Sequence, residues 1–448
     1  MPSDRVTSPG IHAELLRLGW PLALANILLT FDSFSIRFWL GRHYGEYGLA
    51  VHTNTAPVIG IVQLLFIAIT TGLGVTIARS VGARDGRGMS LAANAMVLIT
   101  ALAVVVTVAV LVGAAPIADL IVKPGLSAEP IRQLLTSYLL LTVPLLSFAT
   151  TLAAVAASAG WGRLSLIWGI THVPPVFALL PLALGPLDLG YYSPAFAVAI
   201  AALINTTTLW ILVRRHATRL HLGTSIDRAL LFDFRQWRAL LDIGLPQQLS
   251  RAAAWGVMLA IVLYVGGDGV VTLAGYGVAM IYVELAGGVT GGYARAGGIL
   301  IAQSLGAKNP GRAAKVLKTA LVQGSVLPGA TAVLLFIFAP LAVGVFAHDA
   351  SSASEGIRAV RLMVFALLPA SLWQVLLGAF GAAKATKRAF LVTLVAQAVA
   401  LGVLALWPGD RVVGALATIA TMHGLSTAFY FALSVPVLWR GAFAEPAA

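Results

Sequence analysis

The sequence predicts an all-α integral membrane protein: twelve transmembrane helices in two pseudo-symmetric six-helix lobes, arranged as a parallel repeat. Three observations carry that expectation. Charged residues make up only 10% of the 448 and the mean hydropathy is +0.91, whereas soluble domains carry about 25% charge. So little charge cannot cover a water-soluble surface of this size, and the excess apolar surface must face lipid. The apolar residues also fall in continuous runs, and the second half of the chain repeats the first.

A membrane-spanning helix needs about 20 apolar residues. Reading along the chain, such runs have cores at 15–40, 47–78, 90–113, 131–157, 165–184, 193–213, 239–266, 270–302, 316–340, 357–381, 389–407 and 412–438. All should be helical, because lipid offers no partner for an unpaired backbone group. Alternating polarity, the mark of a membrane β-barrel, is missing from these runs. The opening MPSDRVTSPG carries Asp4 ahead of an apolar run too long for a signal-peptide core, so it reads as a retained tail. There is no cysteine, hence no disulfide and no thiolate metal site.

The repeat is written in landmarks. GWPLALA (19–25) returns as GLPQQLS (244–250), and IARSVGARDGR (77–87) returns as IAQSLGAKNPG (301–311). Pro21 matches Pro246, Pro116 matches Pro340, Pro144 matches Pro369 and Arg163 matches Arg388, all at nearly the same step. Six spans per half return the chain to its starting side, so the halves share one orientation. In this class of transporter repeat the substrate site lies near the midplane, between the halves. The expected division is a lobe over 1–213, a basic linker over 214–238 and a second lobe over 239–448. Within the linker, Leu230, Phe234, Trp237 and Leu241 recur at helical spacing while Arg228, Arg235 and Arg238 lie off that stripe, which predicts an amphipathic helix on the inner leaflet.

The net charge of +12 does not point to nucleic acid, because its distribution follows the membrane. Lys and Arg concentrate in 79–87, 214–238, 308–318 and 384–388, all on one side of a twelve-span chain. The positive-inside rule puts that side, and both termini, in the cytoplasm of a plasma or inner membrane. The glycine-rich stretches GLGVT (72–76) and AGGVTGGYARAGG (286–298) lie inside apolar runs and follow no strand. They read as close-packing helix surfaces, not nucleotide loops. Neither a nucleotide motor nor a metal box nor enzymatic chemistry is indicated.

Together, GWPLALANILLT…WLGR, ARSVGARDGR, GLPQQL and AQSLGAKNPGRA resemble the multidrug and toxic compound extrusion (MATE) family over essentially the whole chain. The resemblance implies two six-helix lobes around a V-shaped central cleft. It also implies efflux of small organic, often cationic, compounds in exchange for H+ or Na+, by alternating access. No cofactor beyond that coupling ion is implied, and the bilayer and the substrates are the expected partners of a monomeric chain. Members of the bacterial DinF-like branch carry a first-helix aspartate five residues before the glycine of a closing GR. Counting back from Gly41 gives Ile36, with Asp32 one helical turn deeper. The fifth-helix asparagine and aspartate of that branch are missing from THVPPVFALLP (171–181), and Ala254 stands near the seventh-helix glutamate of the NorM-like branch. DinF-like members remain the better match.

Asp32 is the candidate cation-coupling residue. A charge at the bilayer centre costs roughly 2.5–3.5 kcal/mol even on mild scales, and intramembrane acids are functional by default. Four residues turn a helix by 400°, so Asp32 and Ile36 share a face, while Arg37 is about 140° away and snorkels to the interface. Protonation is one way to hold such an acid. A partner on another helix is a second: His172 in the fifth span leads, with His52 behind it. Hydrogen bonds to Thr30, Ser33 or Ser35 are the structural alternative. In the second lobe, Glu284 with nearby Tyr282, and Arg251 and Arg295, are candidate substrate-cleft residues. Eleven residues separate Glu284 from Arg295, about 16 Å along one helix, which excludes a direct pair. The competing functions are a flippase for a lipid-linked precursor and, in a different class, a passive pore or membrane receptor.

Overall fold

The computed structural model describes residues 10–122, 126–268, 270–344 and 350–434. The side chains of some helical residues, Asp32 and Thr30 among them, lie outside the described set. Among the described residues, twelve helical segments follow one another. They are α1 (11–44), α2 (46–83), α3 (Gly88–Ile121), α4 (Ala128–Ser158), α5 (Arg163–Leu184), α6 (Gly190–His216), α7 (Phe234–Asp268), α8 (Val270–Gly306), α9 (Pro310–Ile337), α10 (Ala353–Ala382), α11 (Thr386–Leu406) and α12 (Arg411–Ala432). Ten segments long and apolar enough to cross a membrane are found among the described residues. Helices α1 and α2 run on with no loop, broken only at Gly45, where φ is 61° and ψ −147°. That left-handed conformation is open to glycine and strained for other residues.

The chain forms two compact units. One comprises residues 25–248, the other the remaining described residues, so α1 and α7 each contribute to both. Small residues set two crossings. In the first unit a Cβ at Gly244 would lie 1.8 Å from the Ala68 carbonyl oxygen, and one at Gly72 2.1 Å from that of Leu240. Backbones can approach this closely only where both helices present small residues. In the second unit Gly292 meets the Ala23 backbone in the same way, and Gly19 makes room for the Tyr293 ring. Each crossing joins the start of one repeat's first helix to the second helix of the other repeat.

The second unit is also tied at its helix ends. Arg312 bonds Glu14 at 2.5 Å and the Ser304 hydroxyl at 2.7 Å, anchoring the start of α1 to α8 and α9. At the opposite end of the helices, Asp410 caps α12 by accepting from the Val413 N–H at 3.0 Å and pairs with Arg358. Arg411 reaches Asp268 at 3.1 Å and donates to the Tyr264 carbonyl at 2.8 Å.

The amphipathic stripe of the linker takes a different form from a free helix on the membrane. Helix is present only from Phe234, as the first turns of α7, while 217–233 is turns and one short 3-10 segment, Arg228–Leu230. The reason is where its backbone bonds go. The Leu222 carbonyl accepts from Met89 N–H at 2.9 Å, Ser90 accepts from Asp227 N–H at 3.0 Å, and the Asn94 amide donates to Leu230 and Leu231 carbonyls at 2.6 and 3.2 Å. The start of α3 thus holds the linker's polar groups in place of helical partners.

Candidate functional site

The first candidate site lies in the 25–248 unit, where α1 and α5 run parallel. A Cβ at Gly169 would meet the Leu28 side chain at 2.6 Å, and further along Phe38 stacks on Phe177 at 5.9 Å between ring centroids. Between these contacts, position 172 is level with positions 31–32. Ile36 is 2% exposed and Arg37 exposed, so the face of α1 that carries position 32 looks into the bundle. The Asp32 carboxylate itself is outside the described residues. His172 is fully buried, its ring stacked on Trp168 at 5.2 Å and 14°. His52 is also buried, but it sits near the Gly45 break.

Local sequence makes the surroundings of His172 polar. Pro174 and Pro175 lie inside α5, and each lacks the N–H that a helix directs to the carbonyl four residues back. The carbonyls of Ile170 and Thr171 therefore lose their helical donors beside the histidine. From α6, the Asn205 amide donates to the Trp168 carbonyl at 2.7 Å, while its Oδ1 is buried with no hydrogen-bond donor among the described residues. A buried acceptor of this kind normally finds a partner. Asn205 escapes a reading centred on charged residues; its signal is the polar cluster NTTT (205–208) inside an apolar run. The Ser35 hydroxyl donates to the Phe31 carbonyl at 2.8 Å, bonding within its own helix.

The second candidate site is on the other unit. One face of α8 carries Gly277, Glu284 and Arg295, all exposed, with Gly288 and Gly291 between the charges. Spacings of seven and eleven residues keep these positions within about 20° of one line. Arg251 is exposed on α7, in line with Trp255, while Ala254, Val257 and Ile261 are buried on the opposite face. Tyr282 is turned away from this stripe: its hydroxyl donates to the Ala342 carbonyl at 2.7 Å, a packing bond. A feature outside the charged candidates is the aromatic ridge Phe31, Phe34 and Phe38, exposed on α1, with Phe31 edge-on to Phe34 and Phe34 stacked on Phe38. Its 3–4 spacing is visible in the sequence.

The family model MatE matches residues 21–180 and again 246–407. The chain belongs to the MatE family. The two matches begin 225 residues apart, the step of the internal repeat. This MATE chain is 22% identical over 400 residues to "Probable multidrug resistance protein YoeA" of Bacillus subtilis, covering 86% of this chain and 83% of that one. Its fold is similar to a MATE crystal structure in complex with MaL6 (TM-score 0.84, 18% identity, 97% of this chain and 100% of that one). It is also similar to a MOP superfamily transporter from Pyrococcus furiosus described as having a binding pocket of reverse polarity (TM-score 0.81, 17% identity, 97% and 98% covered). As a MATE transporter it is a multi-pass membrane protein and a cation-coupled multidrug efflux antiporter, not an enzyme. MATE transporters bind small organic substrates and cations.

Proposed function

We propose that coupling in this antiporter runs through Asp32 with His172 and Asn205, a DinF-like arrangement whose acid has moved one turn deeper along α1. The observation that carries the reading is the α1–α5 register, which sets position 32 level with a fully buried histidine beside two proline-freed carbonyls. A carboxylate there is desolvated when empty and favours taking up a proton or Na+. Release follows when the bundle rearranges and the acid's surroundings change. The Lys and Arg distribution supports cytoplasmic termini and a cytoplasmic linker between lobes 1–213 and 239–448. Glu284 serves the cationic part of organic substrates.

The test is Asp32→Asn in proteoliposomes with separately imposed proton and sodium gradients. The variant keeps size and hydrogen bonding but cannot titrate, so it should bind substrate and lose gradient-driven export. Undiminished export by a well-folded Asp32→Asn protein would remove Asp32 from the coupling role, and the two gradients separately identify the ion. A second reading, a flippase for a lipid-linked precursor, is favoured by Arg251 and Arg295 and by the reverse-polarity description of the P. furiosus relative.

A further inference from the structure

We infer that residues 226–238, the end of the linker and the first turn of α7, form a binding site for anionic phospholipid at the membrane surface. Phe232 and Phe234 enter the headgroup–acyl boundary, and Arg228 and Arg235 meet the phosphates. This goes beyond the coupling reading and rests on no part of it.

The depth of the segment is set by α3, to which it is bonded. The exposed face of α3 is apolar from Ala101 through Ile117 and turns charged at Asp119. A hydrocarbon core about 30 Å thick takes about 20 residues of helix, so counting back from Asp119 puts its other edge near Ile99. Asn94 is five residues past that edge, about 7 Å, within the headgroup layer. The Asn94 amide donates to the Leu230 and Leu231 carbonyls at 2.6 and 3.2 Å, and Ser90 accepts from the Asp227 N–H at 3.0 Å. Helix α7 gives the same level independently. Leu240 packs on Gly72 and Gly244 on Ala68, so α7 and α2 are antiparallel there. In that register Phe234 is level with Ala78, five residues or about 7 Å from the end of α2 at Ala83. Asn94 is about 9 Å from the start of α3 at Gly88. Both routes hold the two phenylalanines where lipid chains give way to headgroups.

At that level the segment presents apolar and basic side chains together. Phe232 is 66% and Phe234 70% exposed, and Ile226, Arg228, Arg235 and Arg238 are exposed around them. Aromatic and basic groups side by side are the composition of segments that lie in the interface. The nearby acids leave the arginines available. Asp233 accepts from the Arg235 N–H at 2.9 Å, so it is engaged with the α7 backbone, and Asp242 lies 3.8 Å from Arg238. Among the described residues neither Arg228 nor Arg235 has an ion-pair partner. Six arginines against three aspartates between 214 and 242 make the surface positive, which selects anionic over zwitterionic headgroups. The planar guanidinium fork matches phosphate oxygens. A protein partner arriving from water would have to reach through the headgroup layer to cover the phenylalanines; lipid is already there.

The experiment uses the full chain in nanodiscs of phosphatidylcholine, alone or mixed equally with phosphatidylglycerol. Phe232→Cys in this cysteine-free chain, carrying a nitrobenzoxadiazole label, reads depth. Its emission should shift to the blue and be quenched by lipid with a nitroxide near the top of the acyl chain. The same label at Thr224, beside the very start of α3, should stay water-like. Selectivity is read with spin-labelled phosphatidylglycerol and phosphatidylcholine. Association of the first should fall about fivefold in Arg228→Gln and in Arg235→Gln, the contribution of one arginine near an anionic surface. Association of the second should not change. Arg132→Gln, at the opposite end of the helices and paired with Glu129, should leave both as in wild type. Soluble glycerophosphoglycerol, the headgroup without its chains, should not compete. A Phe232 label quenched no more than the Thr224 label overturns the proposal, as do Gln variants that keep the wild-type preference. Competition by glycerophosphoglycerol as strong as by the lipid also overturns it, because the site then needs no membrane. Should a Gln variant fail to fold, wild-type protein still decides: equal association of the two spin-labelled lipids rejects the site.

Discussion

Gly244→Ala should damage the protein far more than any ordinary glycine-to-alanine change in a helix. The new Cβ would lie 1.8 Å from the Ala68 carbonyl oxygen and 2.6 Å from the carbonyl carbon, where a relaxed C···O contact is about 3.3–3.6 Å. Both atoms are backbone, so no side-chain rotation relieves the clash and the α2–α7 crossing has to open by more than an ångström. Overpacking usually costs about 1–3 kcal/mol. Opening the crossing also strains the Gln248–Thr71 bond of 2.9 Å, worth about 1 kcal/mol. Alanine returns at most about 1 kcal/mol of helix propensity, leaving a net loss of about 1–3 kcal/mol. The apparent Tm of detergent-purified protein, followed by its monodisperse fraction on size exclusion after heating, reads this loss. Gly287→Ala is the control, because its Cβ meets nothing within 4 Å and the change should be neutral or stabilising. Gly72→Ala clashes with Leu240 at 2.1 Å across the same crossing, so the double variant should cost less than the sum, the opening being shared. Equal apparent Tm for Gly244→Ala and Gly287→Ala would refute the close-packed crossing.

Two further outcomes are expected. At Asp410, burial pushes the carboxyl up, but Arg358 and the Val413 N–H more than offset it and hold it below the usual range. A depressed carboxylate stabilises above its unfolded value near pH 4 and loses that contribution as pH falls through its lower folded value. Asp410→Ala should therefore cost about 1 kcal/mol at pH 7, chiefly as a lost helix cap. Its Tm deficit should shrink by pH 3, and a deficit independent of pH would reject the ionic part of the cap. Single cysteines placed in this cysteine-free chain at Thr224 or Ser225 should resist an impermeant thiol reagent in intact cells and react after lysis. Labelling of intact cells there would reverse the proposed orientation.

The helices and the repeat were legible because both follow from local rules. Apolar runs interrupted by Gly and Pro report lipid contact directly, and GWPLALA against GLPQQLS preserves the glycines on which the crossings depend. The break at Gly45 was legible in part: the polar, glycine-rich GRHYGEYG (41–48) separates the first two apolar runs, but not that a single positive-φ residue turns one helix into the next without a loop. The linker misled for a physical reason. Helical spacing records where apolar residues can align, but Asn94 and Ser90, more than a hundred residues away, take up the backbone groups that a helix there would need. At the candidate sites, sequence singled out the charges and their helices. It could not give the α1–α5 register or the packing role of Tyr282, because both depend on contacts between distant segments.

The repeat separates the parts of the molecule that packing dictates from those that chemistry dictates. At the common step of 225, Gly19 corresponds to Gly244 and Pro21 to Pro246, so the Gly244–Ala68 contact recurs as Gly19 against the Tyr293 ring, while Gly297, the counterpart of Gly72, lies against Ala320. The charged positions do not recur. Asp32 corresponds to Val257, which is buried on α7, and His172 to Gln397, also buried, whose amide donates to the Ser250 carbonyl at 3.1 Å. The second unit thus keeps the polar position on its fifth helix but has Val257, not an acid, at the α7 position that matches Asp32. In the other direction, Arg251 corresponds to Asn26 and Arg295 to Thr70, whose hydroxyl is within hydrogen-bond distance of Thr151 at 3.3 Å. A charge that served folding alone would follow the duplicated packing into both halves. Instead each half carries a different buried or mid-span charge on an equivalent framework. That asymmetry argues for divided work, with the proposed ion coupling confined to the 25–248 unit.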